Sequence, residues 1–249
     1  MTIKALIFDI DNTLLNWAER GSNWFGDPNG HTKHLHQTAR HYLPDVSPSR
    51  LDALTNNFME AYYELLSQDL DEAPHLGTMV GQALYAVGIT PDIPPRDEVI
   101  NVYNWVYTPG VDPFPDVRDA LEQLGKTYTL AIITNGYQPM YQRDKELAHH
   151  GLLECFSDCR YSSADVGVLK PDSQIFQVAL KCLNVDASEA VYIGDHPVMD
   201  VVGAQQVGMK AVWRTPTEQD ANSLSWIKPD AVINTLFDLI KWLEALSTR

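Results

Sequence analysis

Asp9 and Asp11 stand two residues apart at the end of the apolar run Ala5-Leu6-Ile7-Phe8, and Asn12 and Thr13 follow directly. A short apolar run of this kind reads as a buried strand, and open parallel sheets place their chemistry just beyond the carboxyl ends of such strands. Two carboxylates this close repel each other unless a cation or a shared proton stabilises them, which points to a metal. The same residues also suit an Asx turn, in which Asp and Asn serve only the backbone. Taken alone, the segment leaves both readings open.

Three further polar clusters each follow a strand-like run. Ile132-Ile133-Thr134-Asn135-Gly136 sets a hydroxyl, an amide and a flexible backbone at a strand-to-helix junction, where free N–H groups can hold a phosphate. Lys170 places one cation just before Pro171-Asp172, a helix start. Gly194-Asp195-His196-Pro197-Val198-Met199-Asp200 adds a second pair of carboxylates. Each cluster alone is a common turn or helix start. In this order, each behind its own strand, they point to one shared site.

The elements that must position these clusters are legible from periodicity. Apolar runs of strand length cover residues 5–8, 128–133, 190–193, 210–213 and 231–233. Helical spacing separates most of them, as in Val117, Ala120, Leu121 and Leu124 before Gly125, and in Ile175, Val178, Ala179 and Leu183. Alternation of this kind predicts an α/β fold, a Rossmann-like doubly wound parallel sheet with helices on both faces. Residues 17–108 break the rhythm, because the interval is far too long for an ordinary connection and carries no strand run. Its content is helical, over 51–66 and 77–87, punctuated by Pro44, Pro48, Pro74 and the prolines of 91–95. The expected division is a catalytic core of residues 1–16 and 109–249, with an inserted α-helical cap over 17–108. Pro109-Gly110-Val111-Asp112-Pro113-Phe114-Pro115 forms a stiff exit linker, and residues 236–246 read as a terminal amphipathic helix.

Composition narrows the partners. A chain of 249 residues with 45% hydrophobic and 20% charged residues is ordinary for a globular protein. Its formal net charge of −15 repels phosphate backbones and anionic lipid, and no Lys/Arg cluster offsets it. Neither nucleic acid nor a membrane is expected, whereas a small anion focused by a metal and a cation or two is compatible. Cys155, Cys159 and Cys182 are an odd number without metal-ligand spacing, which suggests free thiols in a reducing compartment. With no membrane-length apolar stretch and no signal-like N-terminus, the cytoplasm is the expected location.

The four clusters together resemble the four motifs of the haloacid dehalogenase (HAD) superfamily, in the branch whose helical cap is inserted between the first and second motifs. The resemblance runs from about Ile3 to Trp213 and takes in Gly203 to Met209 after the fourth motif. It implies that Asp9 is a nucleophile that forms an aspartyl-phosphate, and that Asp11 protonates the leaving oxygen and then activates water. Crowding by neighbouring carboxylates would help Asp11 hold its proton. Thr134 and the N–H of Asn135 would bind phosphoryl oxygens, and Lys170 would neutralise charge on Asp9 and the transferring group. Thr13 would fix loop geometry. A Mg²⁺ ion would be held by Asp9, the Asp11 carbonyl and Asp195, with Asp200 either a ligand or a residue that orients or caps. The implied substrate is a small phosphorylated metabolite, a sugar phosphate, nucleotide monophosphate or similar, over which the cap closes.

Asp11 also separates reaction types within the resembling superfamily. Carbon–halogen cleavage expels an anion that needs no proton, whereas phosphoester hydrolysis expels an alkoxide that does, so a phosphatase is favoured over a dehalogenase. A phosphomutase would keep the same acid, and a non-catalytic phosphate-binding regulator is a reading of another class, which the complete motif set argues against. Other residues carry weaker signals. Trp17, Trp24 and Phe25 could stack on a substrate, although cap core is the plainer role. His31, His34, His36 and His41 suit a solvated helix face better than a metal, His196 reads as a neighbour of a ligand, and Arg20 and Arg143 are expected on the surface. Neither the substrate nor the oligomeric state is encoded legibly.

Overall fold

The computed structural model describes residues 2–17, 30–66, 72–215 and 226–247. Strands β1 (Ala5–Phe8), β4 (Thr129–Thr134), β5 (Arg160–Ser162), β6 (Ala190–Gly194), β7 (Lys210–Arg214) and β8 (Ala231–Ile233) form one parallel sheet in the order β5-β4-β1-β6-β7-β8. Strands β2 (Leu15–Asn16) and β3 (Asp112–Pro113) form a separate antiparallel pair.

Alternation along the central strands explains why helices cover both faces. Leu6, Phe8, Leu130, Ile132, Val191 and Ile193 point to one face, where they pack with Val117, Leu121 and Leu124 of α5 (Val117–Leu124) and with Leu236, Leu239 and Leu243 of α10 (Leu236–Ser247). Ala5, Ile7, Ala131, Ile133, Ala190 and Tyr192 point to the other, against Ile175, Phe176 and Ala179 of α8 (Ser173–Leu183). Strands buried on both sides lose their polar face, so they read as continuous apolar runs. The remaining elements of this part are α6 (Met140–His149), α7 (Ser163–Val166) and α9 (Gly203–Gln206). A π-helical turn, Pro197–Val202, leads into α9.

Between β2 and β3 lie α1 (His31–Tyr42), α2 (Pro48–Leu66), α3 (Leu76–Ala86) and α4 (Arg96–Tyr103). They share a third apolar cluster that includes Leu35, Leu54, Phe58, Val80, Leu84, Val99, Ile100 and Trp105. Gly77 is required in this packing, since a Cβ there would stand 2.3 Å from the Arg96 carbonyl oxygen. The two connections to this helical insertion run antiparallel, with Asn16 opposite Asp112. Helix α6 supplies a docking rail: Gln142 Nε2 donates to the Ile100 carbonyl at 3.0 Å and Tyr141 OH to Asn101 Oδ1 at 3.1 Å.

Two expectations are corrected here. Cys159 and Cys182 are joined in a disulfide that ties the start of β5 to α8, leaving Cys155 as the free thiol, so cysteine usage does not argue for a reducing compartment. The histidines of α1 do not form a solvated face. His31 is buried with Nδ1 2.7 Å from the Tyr103 hydroxyl, His34 Nδ1 lies 2.9 Å from the Tyr103 carbonyl, and His36 Nε2 lies 2.9 Å from Thr55 Oγ1; only His41 is exposed. They pin α1 to its neighbours. No helix among the described residues is long and apolar enough to cross a membrane.

Candidate active site

Register brings three of the four clusters to the carboxyl end of the sheet. The fourth, with Lys170, arrives on a loop that follows α7 rather than behind a strand of its own as the sequence suggested. Phe8 pairs with Ile132 on one side and Ile193 on the other, so the residues that follow these strands emerge side by side. Asp9 N donates to the Ile193 carbonyl at 2.9 Å, which continues the ladder one step past β1. The chain then turns tightly, with Leu14 N donating to Ile10 O at 2.7 Å and Asn12 N to Leu15 O at 2.7 Å. Asn12 has φ +57°, a left-handed conformation that Asn tolerates better than most residues. Backbone bonds thus set this loop, while Thr13 Oγ1 is buried without a hydrogen-bond partner among the described residues.

Lys170 is the hub. Its Nζ donates to Asp9 Oδ1 at 2.7 Å, to Asp200 Oδ1 at 2.6 Å and to the Tyr192 hydroxyl at 2.9 Å, and the residue is 3% exposed. The Asn135 side chain clamps the loop that carries it, with Oδ1 accepting from Lys170 N at 2.8 Å and Nδ2 donating to Lys170 O at 3.2 Å. Asp172 caps the helix that follows, accepting from Gln174 N at 2.7 Å. Thr134 ends β4 and is buried beside this loop. Tyr192 was not singled out from the sequence. A phenol on a strand otherwise made of apolar residues was its signal, and its hydroxyl also donates to the Ile133 carbonyl at 2.8 Å.

Asp9, Asp195 and Asp200 each present a carboxylate oxygen, and the three oxygens lie within 4.8 Å of one another. Asp200 is buried, and its Oδ2 accepts from His196 N at 2.8 Å. His196 caps the π-helical turn, its Nδ1 accepting from Val198 N and Met199 N at 3.3 and 3.2 Å. Burial, with Asp9 and Asp200 close by, pushes the Asp195 carboxyl up to about 8. Burial likewise raises Asp9 to about 7, against the opposing pull of Lys170. Burial weakens the hold of Lys170 on its proton, but Asp200 and Asp9 more than reverse this and leave it firmly protonated. Three carboxylates around one ammonium leave negative charge uncompensated, and an all-oxygen donor set of this kind suits a hard divalent cation.

Asp11 faces elsewhere. Its Oδ1 accepts from Trp17 Nε1 at 2.7 Å and from Arg143 Nη2 at 2.7 Å. Both partners depart from expectation. Arg143 is 2% exposed rather than on the surface, also pairs with the buried Glu146 at 3.1 Å, and lies with its guanidinium carbon 5.9 Å from the Trp105 ring centre. Burial opposes its charge, but Asp11 and Glu146 hold it protonated. Trp17 packs its ring on the sheet's own apolar cluster and spends its N–H on Asp11, so it is not part of the cap core. Trp24, Phe25 and Arg20 lie outside the described residues. Across from the site, Tyr62 of α2 meets Tyr137, which follows Gly136, with ring centres 5.7 Å apart.

A family model described as haloacid dehalogenase-like hydrolase matches residues 3–208. A protein of Pyrococcus furiosus named glyceraldehyde 3-phosphate phosphatase is 41% identical over 252 residues, covering 97% of this chain and 93% of that one. Among solved structures, a 2-haloacid dehalogenase from Pseudomonas syringae is 29% identical with a TM-score of 0.67, over 98% of this chain and 100% of the other. A HAD phosphatase from Thermococcus onnurineus is 25% identical with a TM-score of 0.62, over 97% and 98%.

Proposed function

The chain belongs to the haloacid dehalogenase-like hydrolases, and from that premise we propose that it is a magnesium-dependent phosphatase that hydrolyses small phosphomonoesters through an aspartyl-phosphate on Asp9. The observation that carries this reading is the contrast between two nearby carboxylates. Asp9 lies against Lys170, while Asp11 lies against Trp17 and Arg143. Different surroundings assign different roles to like groups.

In the proposed reaction an Asp9 oxygen attacks phosphorus and the ester oxygen departs, taking a proton from Asp11. Asp11 then removes a proton from the water that attacks the aspartyl-phosphate, and inorganic phosphate leaves with Asp9 regenerated. Lys170 neutralises charge on Asp9 and on the transferring group, and Thr134 with the Asn135 N–H binds phosphoryl oxygens. Asp9, Asp195 and the Asp11 carbonyl, with Asp200 beside them, are the residues that would hold Mg²⁺, which when bound supplies positive charge for the phosphoryl oxygens. Asp200 is already committed to Lys170 and to His196 N, which favours an orienting role over direct ligation. The proposed division has the helical segment 17–108 acting as a cap that excludes water and selects the leaving group. A relative named for glyceraldehyde 3-phosphate supports a small phosphorylated metabolite as substrate. The proposed location is the cytoplasm, and the Cys159–Cys182 bond is the observation that stands against it.

The similarity to a 2-haloacid dehalogenase gives a second reading a foothold. Halide needs no proton on departure, so that chemistry leaves Asp11 and its two donors without a task. A panel of phosphorylated metabolites and 2-haloacids, with Mg²⁺ and with chelator, separates the two. Phosphate release that stops with chelator is expected. Halide release without phosphate release would replace the phosphatase reading, and phosphate release that survives exhaustive chelation would remove the metal.

A further inference from the structure

Arg143 is the least explained group near the site, a buried guanidinium on α6 whose charged partners are Asp11 and Glu146. Glu146 is 0% exposed, and its carboxylate is met by Arg143 and by the Thr108 backbone. Burying such a pair costs several kcal/mol per ion unless something is gained in return. A fold-stabilising role is poorly served, because apolar residues of similar volume would fill the same place at no such cost. What the pair achieves beyond charge balance is geometric. The carboxylate at Asp11 is free to rotate on a short side chain, and Arg143 Nη2 and Trp17 Nε1 approach the same oxygen, Oδ1, each at 2.7 Å.

We infer that Arg143 is the positioning residue for Asp11: together with Trp17 it fixes Oδ1, leaving Oδ2 to exchange the proton with the leaving group, and Glu146 holds Arg143 in place as its counter-charge. The inference rests on the phosphatase reading above. It adds a residue from α6, the helix on which the cap docks, to the acid–base apparatus. In this assignment Arg143 acts on the reaction through Asp11, to which it is hydrogen-bonded, and not as a group that bonds the substrate.

The test exploits leaving groups of one shape and different acidity. Phenyl phosphate expels a phenoxide that needs a proton far more than the 4-nitrophenoxide of 4-nitrophenyl phosphate does. The ratio of their kcat/KM values therefore reports general acid catalysis up to departure of the alcohol. Arg143→Met alone would strand the Glu146 charge, so Arg143→Met is paired with Glu146→Leu. Arg143→Lys keeps a cation beside Glu146 while losing the planar fork, and serves if the double variant fails to fold. The double variant should lose roughly 100-fold on phenyl phosphate and only a few-fold on 4-nitrophenyl phosphate, with Arg143→Lys showing a smaller loss of the same selectivity. Equal losses on both esters, or none, would overturn the positioning role while leaving the phosphatase intact. Wild-type protein that releases phosphate from neither ester nor any member of the metabolite panel overturns both readings together.

Discussion

Gly194 and Asp200 are in direct contact: a Cβ built on Gly194 would stand 2.3 Å from the Asp200 carboxyl carbon. The absence of a side chain at the end of β6 is what lets Asp200 lie over the strand and reach Lys170 at 2.6 Å. Gly194→Ala should therefore displace Asp200, loosen Lys170 and misplace Asp9. A shift of about 1 Å at reacting groups can cost about 100-fold, so kcat should fall by at least roughly tenfold. Steady-state kinetics check this, and full activity would show that Asp200 does not govern Lys170.

The Tyr192 hydroxyl accepts from Lys170 and donates to the Ile133 carbonyl. Tyr192→Phe keeps the ring in the apolar cluster but leaves the ammonium one acceptor short. Hydrogen bonds to charged groups contribute about 1.5–3 kcal/mol, so a loss of that order in stability is expected by denaturant titration. Activity should fall less than in Gly194→Ala, since Asp9 and Asp200 still hold the lysine.

Carboxyl groups raised by burial make stability depend on pH. In metal-free protein Asp9 is pushed up to about 7 and Asp195 to about 8, from an ordinary 3.8. Between those limits the folded state binds more protons than the unfolded state, so stability falls as pH rises. The contribution is intact below about pH 4 and is lost as pH passes through the folded values. The Tm of chelator-treated protein should drop from about pH 4 to about pH 8 and level off above that, and added Mg²⁺ should raise it more at the higher pH, where the ligands are ionised. A Tm that rises over this range in the metal-free protein would contradict the electrostatic assignment.

The Cys159–Cys182 bond closes a loop between residues 23 apart in sequence. Loop-closure entropy for a span of that size is worth about 3 kcal/mol. Cys182→Ser should lower unfolding stability by about that amount. Thiol titration of unfolded protein purified without reductant should find Cys155 alone reactive. Three reactive thiols would mean that the bond does not form.

What the sequence made legible, and what it hid, follows from physics. Asp9, Asn135 and Asp195 could be read because each sits just after an apolar run, and parallel pairing of those runs brings their ends together without further information. Lys170, by contrast, follows α7 and a loop, and Asp200 lies in the π-helical turn, so only their place in the ordered motif set marked them. Strand β5 escaped notice because an edge strand of Arg160, Tyr161 and Ser162 needs no apolar run to be recognised by its single neighbour. Arg143 read as a surface cation because the pattern of α6 is polar, and its burial arises only when α4 and the Asp11 loop close over that helix. The bond between Cys159 and Cys182 is similarly invisible until β5 and α8 are packed together. Trp17 was weighed between substrate and cap core, and the indole N–H that decides its role finds Asp11 six residues earlier through a turn set by Asn12.

The most direct test of nucleophilic catalysis is phosphate release by Asp9→Asn, measured with Mg²⁺ beside wild type, together with the Tm of each preparation. Asn keeps the volume and removes the attacking charge, so release should fall to background while the fold persists, with Tm unchanged or raised by relief of carboxylate crowding. Turnover at the wild-type rate by a well-folded Asp9→Asn protein would contradict the assignment of Asp9 as the nucleophile.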